Sequence, residues 1–188
     1  MNAAWSPDGT EIAFLNKETG LGGLPEMLVV DAEGASKPAV LIPRTGYYLG
    51  GPVWLPDGKR MVYGSGAGEY SGPKSSGNLW VMYADGTQPV QLTKDFTGLY
   101  ASLSPDGRWL VLSACRHYEQ PTCQYDLWLV STEDGSLRRL NSDPVTELCP
   151  AWAPDGIRIV FQRGDDGIWG LDLGDAALSQ LYPTSADF

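Results

Sequence analysis

Short apolar runs alternate with turn-forming residues along the whole chain, and the alternation follows a repeat. In each repeat, a Pro-Asp-Gly segment is followed by three apolar runs that are rich in Val, Ile, Trp and Tyr, as is typical of β-strands. A short run before each Pro-Asp-Gly predicts a first strand. The predicted second strands are Glu11–Leu15, Arg60–Gly64, Trp109–Ser113 and Arg158–Gln162. The predicted third strands are Met27–Val30, Leu79–Tyr83, Leu127–Val130 and Ile168–Leu171, and the fourth are Val40–Ile42, Val90–Leu92, Leu137–Leu140 and Leu178–Tyr182.

The Pro-Asp-Gly segments set the period of this repeat, because their prolines recur every 49 residues. Proline presets its own φ, aspartate bonds the nearby backbone, and glycine takes a positive φ, so each segment predicts a tight turn between the first and second strands. The identical placement of the aspartates predicts a structural role for them and not an acid–base role. These aspartates are Asp8, Asp57, Asp106 and Asp155.

Large residues also keep to the repeat. Six of the seven tryptophans fall at matching positions, either two residues before the proline or within the third strand. Such regularity predicts that large side chains fill equivalent packing sites. Several runs, such as Trp109–Leu112, are apolar on consecutive residues, which is typical of a strand that is covered on both faces.

Four-stranded antiparallel sheets that repeat along a chain and are covered on both faces are the blades of a β-propeller. The sequence therefore predicts an all-β fold and a single β-propeller domain over residues 1–188. Its four blades follow the 49-residue period, at about 1–49, 50–98, 99–147 and 148–188. No window carries a convincing helical stripe, and only Asp175–Gln180 could form a short helical turn. The segment Arg-Gly-Asp-Asp-Gly at 163–167 is expected to form a tight turn between strands.

The repeats resemble those of the TolB and dipeptidyl-peptidase type of β-propeller, also called WD40-like Pro-Asp repeats. The resemblance is carried by AAWSPDGTEIAFL, PVWLPDGKRMVYGS, ASLSPDGRWLVLSA and PAWAPDGIRIVFQR, and it covers essentially the whole chain. It implies the fold, and TolB-like relatives imply a scaffold role in periplasmic envelope assemblies. The fold alone does not specify a function, because it hosts scaffolds, enzyme gates and sensor domains alike.

Composition narrows the classes of partner. The formal net charge is −10, with 13 basic and 23 acidic residues, and this balance argues against a nucleic-acid partner. No apolar stretch approaches the roughly 20 residues that span a bilayer, so membrane insertion is not expected. The chain begins directly in a predicted strand and looks like four blades of a longer protein. The compartment is therefore left open, with the periplasm or the extracellular space favoured.

The three cysteines raise the question of a disulfide. Cys115 and Cys123 flank the longest excursion of the third repeat, between strands expected to pair, so their Cα atoms could approach bridging distance. Either a disulfide forms there, which would imply an oxidising compartment, or two reduced thiols lie at the base of the loop. Cys149 is expected to be a small buried residue at a strand start.

Antiparallel pairing sorts the loops of each blade into two groups. The Pro-Asp-Gly and Asp-Gly turns fall at one end, here called the turn end. The longer connections fall at the other, the loop end, where a rigid scaffold would carry binding residues. Exposed aromatic residues with Arg are typical of protein interfaces, so this end is the predicted binding surface. The candidate residues are Arg44, Tyr47, Tyr48, Tyr70, Lys94, Asp95, Phe96, Tyr100, Arg116, His117, Tyr118 and Glu147.

Motifs for catalysis are missing from the sequence. His117 is the only histidine, and no Gly-x-Ser-x-Gly segment is present, so a serine-hydrolase triad has no basis in this chain. The cysteine spacing does not fit a zinc site, and the paired acids Asp165 and Asp166 do not define a calcium site. We therefore expect no metal, no cofactor and no catalytic residue, although some lyases and glycosidases are built on propellers.

Three functions remain after these exclusions. The first is a noncatalytic propeller that binds a protein or peptide through the loop end. The second is the gating propeller of a prolyl-oligopeptidase or dipeptidyl-peptidase type of serine peptidase, with the hydrolase domain outside this chain. The third is the ligand-sensing domain of a receptor or regulator.

Four blades are fewer than this repeat family usually has, and the bare faces of terminal blades would be apolar. The expected outcomes are closure as a four-bladed ring, a homodimer that closes an eight-bladed ring, or membership of a larger ring.

Overall fold

The computed structural model describes residues 3–16, 25–44, 48–67, 76–94, 96, 98–115, 124–142 and 144–182. Within these ranges the chain is all-β, as predicted, and it forms four antiparallel sheets in chain order. In the described part of the chain, no helix is long and apolar enough to cross a membrane. The chain divides into two compact units, Met1–Thr97 and Gly98–Phe188, and each unit contains two of the sheets.

The first unit contains blades 1 and 2. Blade 1 has strands β1 to β4 in sequential order, and blade 2 has the order β5-β7-β8-β9 with β6 also paired to β7. The strands of blade 1 are β1 Ala3–Trp5, β2 Glu11–Asn16, β3 Glu26–Asp31 and β4 Ala39–Ile42. Those of blade 2 are β5 Tyr48–Leu49, β6 Val53–Trp54, β7 Arg60–Ala67, β8 Ser76–Tyr83 and β9 Val90–Gln91.

The second unit contains blades 3 and 4, each with four strands in sequential order. The strands of blade 3 are β10 Leu99–Leu103, β11 Trp109–Ala114, β12 Asp126–Ser131 and β13 Leu137–Arg139. Those of blade 4 are β14 Glu147–Trp152, β15 Arg158–Arg163, β16 Ile168–Asp172 and β17 Leu178–Tyr182. The predicted second, third and fourth strands are thus all present, with ends that differ by at most a few residues.

Each unit has its own core, formed where its two blades pack together. In the first unit, Ala13, Met27 and Val29 of blade 1 pack with a set from blade 2 made of Trp54, Met61, Tyr63 and Met82. In the second unit, Val111, Leu127 and Leu129 of blade 3 pack with Ile159, Phe161 and Leu171 of blade 4. The repeat thus places large residues at equivalent packing sites in both units.

In three of the four blades the first strand is irregular. In blade 2 it is split into β5 and β6, on either side of Gly50–Pro52. In blade 3 the β10–β11 register shifts between Leu99 and Ser102, and in blade 4 the β14–β15 register shifts between Leu148 and Ala151. Such bulges bend a strand and redirect its side chains.

Blade 4 contains two segments for which the sequence suggested a turn, at 175–180 and at 163–167. Asp175–Gln180, the one segment that could have formed a helical turn, does not form one: β16 ends at Asp172, a turn follows, and Leu178 already pairs with Leu171. The Asp172 carboxylate accepts a hydrogen bond from the N–H of Gly174 (2.8 Å), which favours a strand connection there. The tight turn at 163–167 is confirmed, because β15 and β16 pair directly on either side of it.

Candidate functional site

The structure describes only some of the predicted binding residues. Arg44, Lys94, Phe96, Tyr100 and Glu147 are described fully, and Tyr48 contributes its backbone to β5. The remaining candidates lie outside the described residues, namely Tyr47, Tyr70, Asp95, Arg116, His117 and Tyr118.

In the first unit, Arg44 lies at the loop end of blade 1 in a small polar network. Its guanidinium pairs with the Glu26 carboxylate (3.2 Å), and the same oxygen accepts a hydrogen bond from the Asn16 side-chain amide (2.7 Å). Asn16 ends β2 and Glu26 begins β3, so strand pairing positions both side chains. Arg44 is consequently held beside the paired ends of β2 and β3.

Phe96 is 2% exposed, which corrects the expectation that it is an exposed interface anchor. Its backbone forms a parallel bridge with Asn78, and its carbonyl accepts a hydrogen bond from the Thr93 hydroxyl (2.6 Å). The same hydroxyl oxygen accepts from the N–H of Leu79 (2.8 Å), so the segment after β9 folds back onto β8. Lys94, within this segment, is exposed.

In the second unit, Tyr100 and Cys149 occupy the same place in blades 3 and 4. Both lie in the bulge of a first strand, near the loop end, and both have positive φ, 56° and 54°. The Tyr100 side chain is 55% exposed. Cys149 is an exposed free cysteine, which corrects the expectation that it is buried. The bulge explains this exposure, because it turns the residue out of the regular alternation of the strand.

Glu147 is fully buried at the start of β14, which corrects the expectation that it lies on an exposed surface. Its backbone N–H donates to the Tyr125 carbonyl (2.8 Å), which links blade 4 to blade 3. Its carboxyl oxygen Oε1 accepts a hydrogen bond from the Asn141 side-chain amide. Burial raises the pKa of Glu147 to about 7, with a smaller contribution from the negative charge of Asp126.

Other polar side chains surround Glu147. Asp126 begins β12 and pairs through Oδ2 with Arg139 (2.7 Å). Arg163 lies over the Trp169 ring (4.6 Å). The positive charge of Arg163 favours the charged form of Glu147. Among the described residues, buried oxygens without a hydrogen-bond partner include Glu147 Oε2, Asn141 Oδ1 and Asp126 Oδ1. Burial and the negative charge of Asp126 both favour the neutral carboxyl of Glu147, which carries an O–H donor.

At the turn end, the repeated aspartates accept hydrogen bonds within their own turns. Asp106 Oδ1 accepts hydrogen bonds from the Ser104 hydroxyl (2.6 Å) and the N–H of Arg108 (3.0 Å), which lower the pKa of Asp106. Asp155 accepts from the N–H of Ile157 (3.0 Å) and from the Arg158 side chain. Asp8 and Asp57 bond their own turns in the same way. These carboxylates shape turns.

Cys115 directly follows the last residue of β11. It is buried and is not a free thiol. Cys123 lies outside the described residues, so the Cys115–Cys123 disulfide stays a prediction. In the described ranges, no three His, Cys, Asp or Glu side chains are grouped so that they could hold a metal ion. Of the described loop-end residues, Lys94 is exposed in the first unit, and Tyr100 and the free Cys149 are exposed in the second.

Comparison with protein-family models found none that matches this chain. Among known proteins, an uncharacterized peptidase YuxL of Bacillus subtilis (strain 168) is 30% identical over 158 residues, covering 84% of this chain and 20% of that protein. The Tol-Pal system protein TolB of Anaeromyxobacter dehalogenans (strain 2CP-C) is 29% identical over 149 residues, covering 76% of this chain and 29% of TolB. The chain thus spans less than a third of the length of these relatives.

Solved structures support the fold. TolB from Acinetobacter baumannii matches with a TM-score of 0.71 at 23% identity, over 100% of this chain and 44% of that one. An oligogalacturonate lyase in complex with manganese matches with a TM-score of 0.76 at 15% identity, over 98% of this chain and 53% of the lyase. A prolyl endopeptidase matches with a TM-score of 0.69 at 14% identity, over 99% of this chain and 29% of that one.

Proposed function

We propose that this chain, a β-propeller of the TolB-like and peptidase-propeller type, is a noncatalytic scaffold that binds a protein or peptide through its loop end. The exposed Tyr100 carries the proposal. Its large aromatic side chain is 55% exposed at the bulge of β10, a strand that pairs with β11. Rigid aromatic residues lose little conformational entropy on binding and are frequent interface hot spots.

The charge of the chain supports a partner with basic character. The formal net charge is −10, which favours encounter with a cationic protein or peptide. Tol-Pal system membership in the name of the TolB relative is consistent with a scaffold within a protein assembly. We extend that role to this chain as part of the proposal, with periplasmic or extracellular location as its setting.

A second candidate function has its own support in the peptidase relative. YuxL is 30% identical over 84% of this chain, and the fold also matches a prolyl endopeptidase. In this alternative the propeller gates access to a hydrolase domain that is encoded elsewhere in the same gene. A Gly-x-Ser-x-Gly segment downstream in that gene would favour the gate, and its absence from the full reading frame would favour the scaffold.

A peptide library tests the scaffold directly. A phage-displayed random peptide library is selected on the immobilised 188-residue chain, and each enriched peptide is mapped by backbone hydrogen exchange. The proposal predicts enrichment of basic peptides that protect amides around the start of β10. Protection confined to the turn end, or no enrichment over an unrelated acidic protein, would contradict it.

A further inference from the structure

One buried acid joins blade 3 to the start of blade 4. Glu147, the first residue of β14, is 0% exposed, and its backbone N–H donates to the Tyr125 carbonyl (2.8 Å). Its carboxyl oxygen Oε1 accepts a hydrogen bond from the side-chain amide of Asn141. Tyr125 precedes β12 and Asn141 follows β13, so both partners belong to blade 3. The backbone and the side chain of a single residue therefore connect the two blades at the loop end.

The two ends of β14 are held against blade 3 in different ways. At the turn end, the Trp152 N–H donates to the Ser102 hydroxyl (3.1 Å), and the Trp152 side chain packs against the apolar core that both blades share. At the loop end, Glu147 is joined to blade 3 by hydrogen bonds. The Thr146 carbonyl accepts from the N–H of Gly164 (2.8 Å), which ties this segment to the rest of blade 4. Segments held by few apolar contacts open at a lower free energy than an apolar core does.

The surroundings of the Glu147 carboxyl favour its neutral form. Within the described residues, its oxygen Oε2 is buried and has no hydrogen-bond partner. The Asp126 carboxylate on β12 adds a like charge, and Arg163 on β15 supplies an opposing one. Arg139 on β13 pairs with Asp126 (2.7 Å). Burial is the largest effect and raises the pKa of Glu147 to about 7, so a negative charge here is costly while the two blades are in contact.

We propose that Glu147 makes the junction of blades 3 and 4 pH-sensitive: when its carboxyl ionises, the start of β14 separates from blade 3 while the apolar core between the blades stays packed. Separation gives the carboxylate access to water, which removes the cost of burying its charge. The opening is local because polar contacts hold this end of β14 and apolar contacts hold the other end. It needs no bound partner and is independent of the proposed binding role.

The opening should follow the proton of Glu147. In the open form this carboxyl has its usual pKa of about 4.5, against about 7 in the closed form, so opening releases a proton at any pH between these two values. The equilibrium constant for opening should therefore rise about tenfold per pH unit from pH 4.5 to 7. Below and above this range it should stay level.

Residue-resolved hydrogen exchange by NMR, on the whole 188-residue chain between pH 4.5 and 8, measures this opening. Each exchange rate is divided by the intrinsic rate at the same pH to give an opening constant. The Glu147 amide reports on the junction, and the Trp152 amide reports on the packed end of the same strand. The opening constant at Glu147 should rise as described, and at pH 7.5 it should exceed that at Trp152 at least about tenfold.

Two variants separate ionisation from a purely structural role of the side chain. Glu147→Gln retains the size and the amide but cannot ionise, so its opening constant at residue 147 should not change with pH. Asp126→Asn removes the like charge that raises the pKa of Glu147, and the rise should therefore end at a lower pH. Circular dichroism checks the fold of each variant.

A wild-type opening constant at Glu147 that stays level from pH 4.5 to 7 would overturn the proposal without any variant. So would equal opening constants at Glu147 and Trp152 at every pH, because the junction would then open only together with the core. A folded Glu147→Gln chain that keeps the wild-type rise would assign the pH dependence to another group and also overturn it.

Discussion

Tyr100 and Cys149 are 49 residues apart and have nearly the same backbone, with φ values of 56° and 54° at matching bulges of β10 and β14. Neither is a glycine, although a positive φ costs about 1 kcal/mol for a residue with a Cβ. The 49-residue repeat therefore specifies an irregularity as well as the strands. In blade 2 the matching residue is Gly51, in the gap between β5 and β6.

Replacing Cys149 tests the cost of this bulge. Cys149→Gly should raise the free energy of unfolding by about 0.5 kcal/mol, because glycine adopts the positive φ without strain. Cys149→Val should lower it by about 1 kcal/mol or more, since a β-branched residue tolerates this backbone poorly. Urea denaturation measures both, and Cys149→Ala controls for loss of the thiol. Equal free energies of unfolding for the glycine and valine variants would contradict a positive φ at Cys149.

Gly86 lies where blade 2 approaches blade 1. An added Cβ would be 2.9 Å from the Leu41 carbonyl oxygen, and the glycine has a φ of +82°. Gly86→Ala should therefore destabilise the protein by about 3 kcal/mol, from backbone strain and a clash with main chain that has little room to move. Gly58→Ala is the matched control, because Gly58 has a φ of +65° and nothing within 4 Å of its Cβ position. It should cost about 1 kcal/mol. Similar thermal shifts for the two variants would show that the Leu41 contact is unimportant.

The turn role of the repeated aspartates predicts a graded response at Asp106. Asp106→Ala should lower the free energy of unfolding by about 1 kcal/mol, because the Ser104 hydroxyl and the Arg108 N–H lose their acceptor. Asp106→Asn should lose less, since the amide oxygen can still accept. Glu133→Ala, in the exposed Asp-Gly turn of the same blade, serves as the control. An unchanged melting temperature for Asp106→Ala would refute the turn role.

Stability should also depend on pH through Glu147. The pKa of this carboxyl is about 7 in the folded chain against a usual value of 4.5, so the folded state binds the proton more tightly. Its contribution is fully present below about pH 4.5 and is lost as the pH rises to about 7, a loss of about 3 kcal/mol. Above pH 7 this contribution stays constant.

The turn aspartates act in the opposite direction and in a lower range. Hydrogen bonds from Ser36 and Ser131 lead the causes that lower the pKa values of Asp31 and Asp134 to about 2, so their stabilisation is lost only as the pH falls below about 4. Urea midpoints between pH 4.5 and 8 therefore isolate Glu147. Glu147→Gln should remove most of the decline and be the more stable protein at pH 8. A wild-type midpoint that rises over this range would contradict the burial of a neutral Glu147.

The strand order of each blade was predictable because period, turn chemistry and apolar runs all favour the same pairing. Val111 and Ile159 are apolar in a run and are buried between blades, which a repeat pattern indicates well. The sequence pattern also located the turn at 163–167, since paired strands on either side leave few residues to connect them. At these positions the residue types favour the same strands and turns that the packing of the blades requires.

Single residues in the irregular connections were not predictable in the same way. Phe96 and Glu147 were expected on the surface, yet both are buried by contacts with residues distant in sequence, such as Asn78 and Tyr125. A polar residue near a strand start does not reveal whether a neighbouring blade supplies its partners. The bulges were also missed, since Tyr100 and Cys149 are not the glycine that usually marks a positive φ.

The affinity of a selected basic peptide for two tyrosine variants tests the central claim most directly. Tyr100, at the loop end of blade 3, and Tyr83, at the turn end of blade 2, are 55% and 42% exposed, so the two substitutions remove comparable exposed surface from opposite kinds of blade end. Isothermal titration calorimetry should show that Tyr100→Ala raises Kd roughly tenfold or more, while Tyr83→Ala leaves it within about twofold. A Kd that rises for Tyr83→Ala and not for Tyr100→Ala would place binding at the turn end and contradict the account.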